Sequence, residues 1–273
     1  MQNEALRHNI LYSCNESKKR GREQFVPDHS LSCLVSGEIE FYTNMGAIRV
    51  KAPSIGFATR NQLVKTLKMP GEHGEPCKSI SIWLDQESLK RYSLENDIRA
   101  IDTYRGPSIL PLQDRFLRGY FDSLLPYFDN PKQLTKTLSV LKTNEAIELL
   151  LRHDGSLKNI LFDFRDPHKI DLEAYMNQHY KYNVPIRQFA KLTGRSLATF
   201  KRDFVKIFGT PPQKWLLNKR LREAHFLIAE RKQKPSDAYV EVGFENLSHF
   251  SFSFKQLFGY SPSSLGRQYA KQG

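Results

Sequence analysis

Between Leu31 and Leu84 apolar and polar positions alternate in short runs. Leu31-Ser-Cys-Leu-Val35 leads into Ser36-Gly37, and Glu38-Ile-Glu-Phe-Tyr42 keeps a period of two. Asn44-Met-Gly46 reads as a turn, and Ala47-Ile-Arg-Val50 as the next strand. Pro53 and Gly56 punctuate two further runs, Ile55–Thr59 and Leu63–Met69. The stretch Pro70-Gly-Glu-His-Gly-Glu-Pro76 is a loop, and Ser79-Ile-Ser-Ile-Trp-Leu84 is a last strand. Strands at spacings of about 8–12 residues predict a small sandwich or barrel, here over about residues 25–85.

After Leu110 the period changes. Leu112, Phe116, Leu117, Tyr120, Phe121, Leu124 and Leu125 recur at helical spacing up to Pro126. A second helix is predicted after Asn130-Pro131, with Pro at its first position and Leu134, Leu138, Leu141, Ala146, Leu149 and Leu150 on or near one face. Such stripes suit packing on the sheet or on a second subunit, and the helical region is placed at about 111–160. Asp163–His168, containing Asp166-Pro167, is the linker candidate, dividing the chain into 1–165 and 168–273.

The second half repeats itself at an offset of 50. The shift aligns Pro185 with Pro235, Phe189 with Tyr239, Leu192 with Val242 and Leu197 with Leu247. It also aligns Phe200 with Phe250, Phe204 with Phe254, Ile207 with Leu257, Phe208-Gly209 with Phe258-Gly259, and Pro212 with Pro262. Each unit reads as a short helix, a turn and a longer helix closed by glycine. Unit one is Pro185–Leu192, Thr193-Gly-Arg-Ser196 and Leu197–Phe208; unit two is Ser236–Val242, Gly243-Phe-Glu-Asn246 and Leu247–Phe258. Ser196 and Asn246 stand where an N-cap is wanted. Two helices joined by a short glycine-containing turn make the helix-turn-helix plan. Between the units, Leu217, Leu221, Ala224 and Ile228 stripe one continuous helix.

At about 100° per residue, Phe200, Phe204, Ile207 and Phe208 form the inner face of the first long helix. Ala198, Arg202 and Val205 face out, with Lys201 at the margin. In the second, Phe250, Phe254, Leu257 and Phe258 are inner and Ser248, Phe252 and Lys255 outer, with Ser251 at the margin and His249 at the edge. Lys201 and Arg202 near a helix N-terminus suit a major groove, where Arg or Lys donates to guanine O6 and N7. An outward Phe252 suits a thymine methyl or a cover over a neighbouring loop.

Charge sharpens this division. The 273 residues hold 41 Lys+Arg and 29 Asp+Glu, a net +12. Residues 168–273 hold 18 basic and 8 acidic residues, whereas 1–167 hold 23 and 21. A basic half beside a near-neutral one suggests a polyanion reader joined to something else. No run of apolar residues is long enough for a membrane span, and Glu4, Arg7 and Asn9 do not fit a secretory signal, so a cytoplasmic protein is expected. Cys14, Cys33 and Cys77, without a CxxC, predict neither a disulfide framework nor a structural zinc site.

At these residues the C-terminal segment resembles the DNA-binding domain of the AraC/XylS family of bacterial transcription regulators. The matching stretches include Phe189-Ala190, Ser196–Phe204, Phe208-Gly-Thr-Pro-Pro212 and Leu221-Arg-Glu-Ala224. They continue through Val242-Gly-Phe244, Ser248-His-Phe250, Phe254-Lys255 and Phe258-Gly-Tyr-Ser-Pro262. The resemblance implies a multidomain α+β protein whose all-α domain carries two helix-turn-helix units on a long linker helix, reading adjacent major grooves of promoter DNA. By residue match it implies base contacts at Ala198, Lys201 and Arg202, and at Leu247, Ser248, His249 and Phe252. Phosphate contacts are expected at Ser196, Lys206, Lys219, Arg220, Asn246 and Lys255. Ala198 replaces a larger residue of the family pattern, Phe252 a polar or basic one, and Pro235 an aliphatic one.

Asp28–Glu38 resembles the opening strands of cupin-like sensor domains, so a β-barrel or jelly roll followed by dimerising helices is implied, with a small-molecule or protein effector, RNA polymerase as partner, and activation as the expected outcome. His29 and His73, without an H-x-H pair, give no metal set, and His29 is expected as a turn or core residue. No cofactor is expected. A cupin-type metal enzyme with a nucleic-acid-binding appendage is the alternative, and an RNA-binding protein a third reading, which the duplicated helix-turn-helix argues against.

Overall fold

The computed structural model describes residues 3–20, 24–43, 46–165 and 169–270. It divides into two compact units, Met1–Arg165 and Asp166–Gly273. The turn residues Asn44 and Met45, and Asp166-Pro167-His168 of the expected linker, lie outside the described residues.

The first unit contains strands β1 (Asn3–Arg7), β2 (Ile10–Asn15), β3 (Lys19–Arg20), β4 (Gln24–Val26), β5 (His29–Ser36) and β6 (Glu38–Thr43). Strands β7 (Gly46–Lys51), β8 (Ser54–Ala58), β9 (Gln62–Met69), β10 (Cys77–Leu84) and β11 (Ile109–Leu112) follow. Its helices are α1 (Gln86–Glu95), α2 (Arg115–Asp122), α3 (Pro126–Asp129), α4 (Lys136–His153) and α5 (Lys158–Leu161). One antiparallel sheet runs β1-β2-β10-β5-β8-β11 and the other β3-β9-β6-β7, with β4 also on β9. Among the described residues no ladder joins the two into a closed barrel.

The period of two sets the core. Ile82 pairs with Ile10 and Leu31, and Leu31 with Phe57, so these four side chains share one sheet face, and all are buried. Leu117, Tyr120, Phe121, Ala146, Ile147 and Leu150 belong to the same core cluster. The stripes of α2 and α4 therefore cover the sheet of their own chain. Leu141, expected on the α4 stripe, is instead 58% exposed.

Two boundaries differ from the sequence reading. Leu112 pairs with Ile55 in β11, so the helix begins only after Asp114, whose carboxylate accepts from the amides of Phe116 and Leu117. Pro131 opens a 3₁₀ turn, and α4 starts after Thr135, whose hydroxyl accepts from Leu138 N. Strands β1 to β4 and helix α1 were not anticipated.

His29 lies fully buried, stacked 5.6 Å from Phe57, with its Nδ1 accepting from Arg60 N at 3.0 Å. Burial first, then the Arg60 guanidinium, pushes its pKa down to about 3, against a carbonyl at Ile160 that favours the proton.

The second unit is helical: α6 (Leu172–His179), α7 (Ile186–Leu192), α8 (Leu197–Phe208), α9 (Pro212–Ala229), α10 (Pro235–Glu241), α11 (Leu247–Phe258) and α12 (Pro262–Ala270). Helices α7–α8 and α10–α11 are the two repeated units, and α8 and α11 both contact α9. The repeat extends to ring geometry. Phe200–Phe204 and Phe250–Phe254 centroids are each 5.5 Å apart, and Phe204–Phe208 and Phe254–Phe258 are 4.3 and 4.6 Å apart. Trp215 of α9 closes the first stack on Phe208, and His225 of α9 the second on Phe258. Gly209 and Gly259 end α8 and α11 with φ of 66° and 85°, the left-handed conformation a helix stop requires. Ile207 and Leu257, expected on the inner faces, are 43% and 39% exposed, because each aromatic triplet already fills the contact with α9.

Arg220 holds the two modules on α9. Its Nε donates to Tyr180 O at 2.8 Å and one terminal nitrogen to Tyr182 O at 2.7 Å. The other donates to Asn183 Oδ1 at 3.4 Å and to Gly243 O at 3.3 Å. One side chain thus joins the segment before α7 to the turn between α10 and α11. Lys181 adds ion pairs to Glu223 at 3.3 Å and Glu241 at 3.7 Å.

Two outcomes are expected. Arg220→Ala leaves four oxygens without their shared donor and is expected to lower the unfolding free energy of the helical unit by about 2 kcal/mol; urea unfolding of the full chain carrying Trp83→Phe, followed by Trp215 fluorescence, measures it, and an unchanged midpoint would contradict the role given to Arg220. His29 binds its proton less well folded than unfolded, so its contribution is complete above the ordinary histidine pKa of about 6.5 and is lost as pH falls from there towards 3. Stability followed by Trp83 fluorescence is expected to fall across that window by up to about 1.4 kcal/mol per pH unit, and to fall less steeply in His29→Gln.

Candidate nucleic-acid interface

The first long helix of the repeat, α8, starts at Ser196, whose hydroxyl accepts from Thr199 N at 3.2 Å and donates to Thr199 Oγ1 at 3.0 Å. The cap fixes where the helix begins and hence which residues stand on its exposed face. Ala198, Lys201, Arg202, Val205 and Lys206 are all exposed, and the Arg202 side chain is 76% exposed. Phe200 and Phe204 are fully buried on the opposite side.

Asp203 is the only acid on α8, and its charge is answered locally. Arg195, itself buried, places Nε 3.2 Å from one carboxylate oxygen, and Lys169 Nζ lies 3.2 Å from the same atom. These two partners, Arg195 first, hold the Asp203 carboxyl below the usual carboxylate range. Arg195 is fixed in turn by donation to Thr193 O at 2.7 Å and Ile170 O at 2.9 Å. Arg202 also lies 3.8 Å from the other Asp203 oxygen yet stays largely exposed, so with Lys201 and Lys206 it leaves the outer side of α8 net positive. Sequence reading missed this arrangement; the signal was a lone acid between Lys201-Arg202 and Lys206.

In the second module Asn246 caps α11, its Oδ1 accepting from Ser248 N at 2.8 Å and His249 N at 3.0 Å. Ser248, Phe252 and Lys255 are exposed, as expected for its outer face, and so are Leu247 and the edge residue His249. Phe252 is 68% exposed, so it does not cover a loop of its own unit. Phe250 and Phe254 on either side stack into the core, whereas Phe252 meets no other ring among the described residues. Neither α8 nor α11 carries an acid in its first turn, which leaves the positive end of each helix dipole uncancelled.

The phosphate candidates divide into three groups. Lys206 and Lys255 are exposed cations in the last turns of α8 and α11. Ser196 and Asn246 spend their side-chain oxygens on capping, and Lys219 is half-buried with its ammonium 5.5 Å from the Tyr180 ring. Arg220, expected at a phosphate, is turned inward onto the four oxygens described above. A half-buried guanidinium among carbonyls has little left to offer a phosphate.

In the first unit a cavity of about 630 Å³ lies between α2 and strands β5, β8 and β11. Cys33, Ile55, Leu112 and Phe121 supply apolar lining, and Arg115, Arg118 and Asp122 polar lining. Burial first, then Asp122, raises the Cys33 thiol to about 11 against the pull of Arg118, so it is held protonated and unreactive. Among the described residues no three His, Cys, Asp or Glu side chains come together as a metal set, and no helix is long and apolar enough to cross a membrane.

Comparison with known proteins agrees with this division. Residues 189–268 match a helix-turn-helix domain family, and residues 29–161 match the family of the ExsA N-terminal regulatory domain. The virulence regulon transcriptional activator VirF of Yersinia enterocolitica is 33% identical over 200 residues, covering 69% of this chain and 72% of the relative. The transcriptional regulator ExsA of Pseudomonas aeruginosa is 30% identical over 128 residues, 46% of each chain. Among solved structures, unsaturated fatty acid bound ToxT of Vibrio cholerae overlays 94% of this chain and 93% of its own, at 12% identity and a TM-score of 0.39. A third of the residues shared with a regulator over most of both chains, together with matches to a regulatory-domain family and a helix-turn-helix family, place this chain in the AraC/XylS family of DNA-binding transcription regulators, a family of regulators and not of enzymes.

Proposed function

We propose that the chain is a transcription activator whose helical unit reads two successive major grooves on one face of a promoter, one groove with α8 and the next with α11. The observation that carries this reading is the duplication itself: two modules, each with a side-chain-capped second helix and a matching aromatic stack on one linker helix, each leaving the outer side of its second helix exposed. The 18 residues of α9 span about 27 Å at about 1.5 Å per residue. With the width of the packed helices added, that suits a groove-to-groove separation of about 34 Å.

In this reading Ala198, Lys201 and Arg202 meet base edges in one groove, and Leu247, Ser248, His249 and Phe252 in the other. Ser196, Lys206, Lys219, Asn246 and Lys255 lie along the phosphates, with backbone amides donating at the two capped N-termini. Arg220 acts by holding the modules in place. Activation follows the relative named a transcriptional activator, and makes RNA polymerase the partner and the cytoplasm the place of action. The N-terminal unit supplies control, through a small molecule in the α2 cavity or through a protein on its surface, and the exposed Leu141 of α4 offers a surface for self-association.

Binding to duplexes selected from fragmented DNA of the source genome tests the proposal. The affinity is expected to fall steeply with salt, with a log–log slope of about −0.9 for each phosphate neutralised. Lys201→Ala/Arg202→Ala is expected to weaken binding at least ten-fold at about 0.1 M salt and to relax the base preference in that groove, whereas Lys206→Ala is expected to make the slope shallower by about one. Equal affinity of the wild type for selected and scrambled duplexes would refute sequence reading.

A further inference from the structure

The offset of 50 lets the two recognition helices be compared position by position. Their aromatic stripes are in register, Phe200-Phe204-Phe208 against Phe250-Phe254-Phe258, and each stripe faces α9. A residue two positions after the first phenylalanine of a stripe is turned by about 200° from it, into the middle of the opposite, exposed face. In α8 that residue is Arg202, and in α11 it is Phe252. Their predecessors by one turn, Ala198 and Ser248, are both small and exposed, so neither central side chain is crowded. Three further pairs also differ: Lys201 against the half-buried Ser251, Val205 against Lys255, and Lys206 against Gln256.

The central positions therefore present opposite chemistry on like scaffolds. A guanidinium offers paired donors that match guanine O6 and N7. A phenyl ring offers neither donor nor acceptor towards a base edge. What it gains in a groove is burial of its own surface against another apolar group, and the thymine C5-methyl is the apolar mark on the major-groove edge of unmodified DNA. Phe252, at 68% exposure, is the most exposed large apolar side chain of the helical unit among the described residues. Phe226, the next most exposed phenylalanine, is partly covered by the Arg231 guanidinium at 5.9 Å. Leu247 and its counterpart Leu197 are 44% and 42% exposed in the first turns, so the two surfaces differ at the central position and not there.

We propose that the two modules read different base chemistry from one structural position, Arg202 taking a guanine and Phe252 the C5-methyl of a thymine, so that the operator is guanine-marked in one groove and methyl-marked in the next. This inference rests on the DNA-reading function proposed above. It also divides the work. The first module supplies most of the charge and the second, whose outward face carries only Lys255 as a formal cation, supplies apolar selectivity.

The experiment uses the full chain. Duplexes are selected from a random library, and each thymine of the recovered site is replaced in turn by uracil, which removes the methyl and leaves every hydrogen-bonding group. One thymine, in the half-site away from the guanine that Arg202→Ala ceases to prefer, is expected to be sensitive, with uracil weakening binding about four-fold, the worth of one buried methyl at about 0.8 kcal/mol. That sensitivity is expected to vanish in Phe252→Ala and to persist in part in Phe252→Leu, which keeps an apolar side chain. A site insensitive to uracil at every thymine, or a Phe252→Ala variant with the wild-type uracil profile, overturns the methyl reading while leaving sequence-specific binding intact. Failure of the library to yield any enriched sequence overturns the DNA-reading function and this inference with it.

Discussion

The hydrogen bonds of Arg220 are the constraint on which the helical unit depends. Two helix-turn-helix modules could each fold around their own aromatic stack and still be misplaced with respect to one another. A side chain on the linker helix that bonds Tyr180 O, Tyr182 O and Gly243 O removes that freedom, because the three carbonyls come from segments belonging to different modules. The demand reaches into the sequence. Gly243 follows α10 as Gly194 follows α7, with φ of 92° and 66°, and at Gly243 a Cβ would in addition lie 2.2 Å from Lys181 O. In the first module Thr193, just before its glycine, turns its hydroxyl onto Phe189 O and Ala190 O at 2.8 and 3.0 Å. The glycine of the second module thus both closes its helix and admits the backbone of the other module.

Legibility in the sequence followed the physics of each element. The repeat was visible because its inner positions are phenylalanines at fixed spacing, with a capping residue before and a glycine after. Strands β5 to β10 were visible because apolar and polar residues alternate in short runs between turn signals, as in β8, which buries every second residue. Helix α1 was hidden: only Leu89 and Tyr92 are large buried residues in Gln86–Glu95, and the informative signal was Asp85, which accepts from Ser88 N. Leu112 was read into a helix because it continues the spacing of Leu117 and Tyr120, while its pairing with Ile55 depends on a strand more than fifty residues earlier. Arg220 was misjudged for the same reason. A basic residue on a long helix looks like a phosphate contact until the loops that surround it are placed.

Electrostatics in the helical unit shows a comparable economy. Buried or half-buried cations, Arg195 and Arg220, act within the fold, the first answering Asp203 and the second satisfying carbonyls. Exposed cations, Lys201, Arg202, Lys206 and Lys255, stand on the outer sides of α8 and α11. Surface charge of this kind adds little to stability, and at low salt it raises the local concentration of a polyanion. Net charge alone marks the unit as a polyanion reader, but only the sorting of individual cations by burial says which of them face outward.

Duplication separates what holds a recognition helix from what the helix says. The stacks Phe200-Phe204-Phe208 and Phe250-Phe254-Phe258 keep nearly the same ring distances, so both helices are seated on α9 by equivalent contacts. Removing a ring from either stack would cost about 3–5 kcal/mol, which leaves little room for inner positions to vary. The outward positions carry no such cost, since Arg202 and Phe252 are each more than two-thirds exposed. A guanidinium and a phenyl can therefore occupy equivalent sites without altering the scaffold beneath them. Two modules of one architecture can in this way present unlike outer surfaces on equivalent supports.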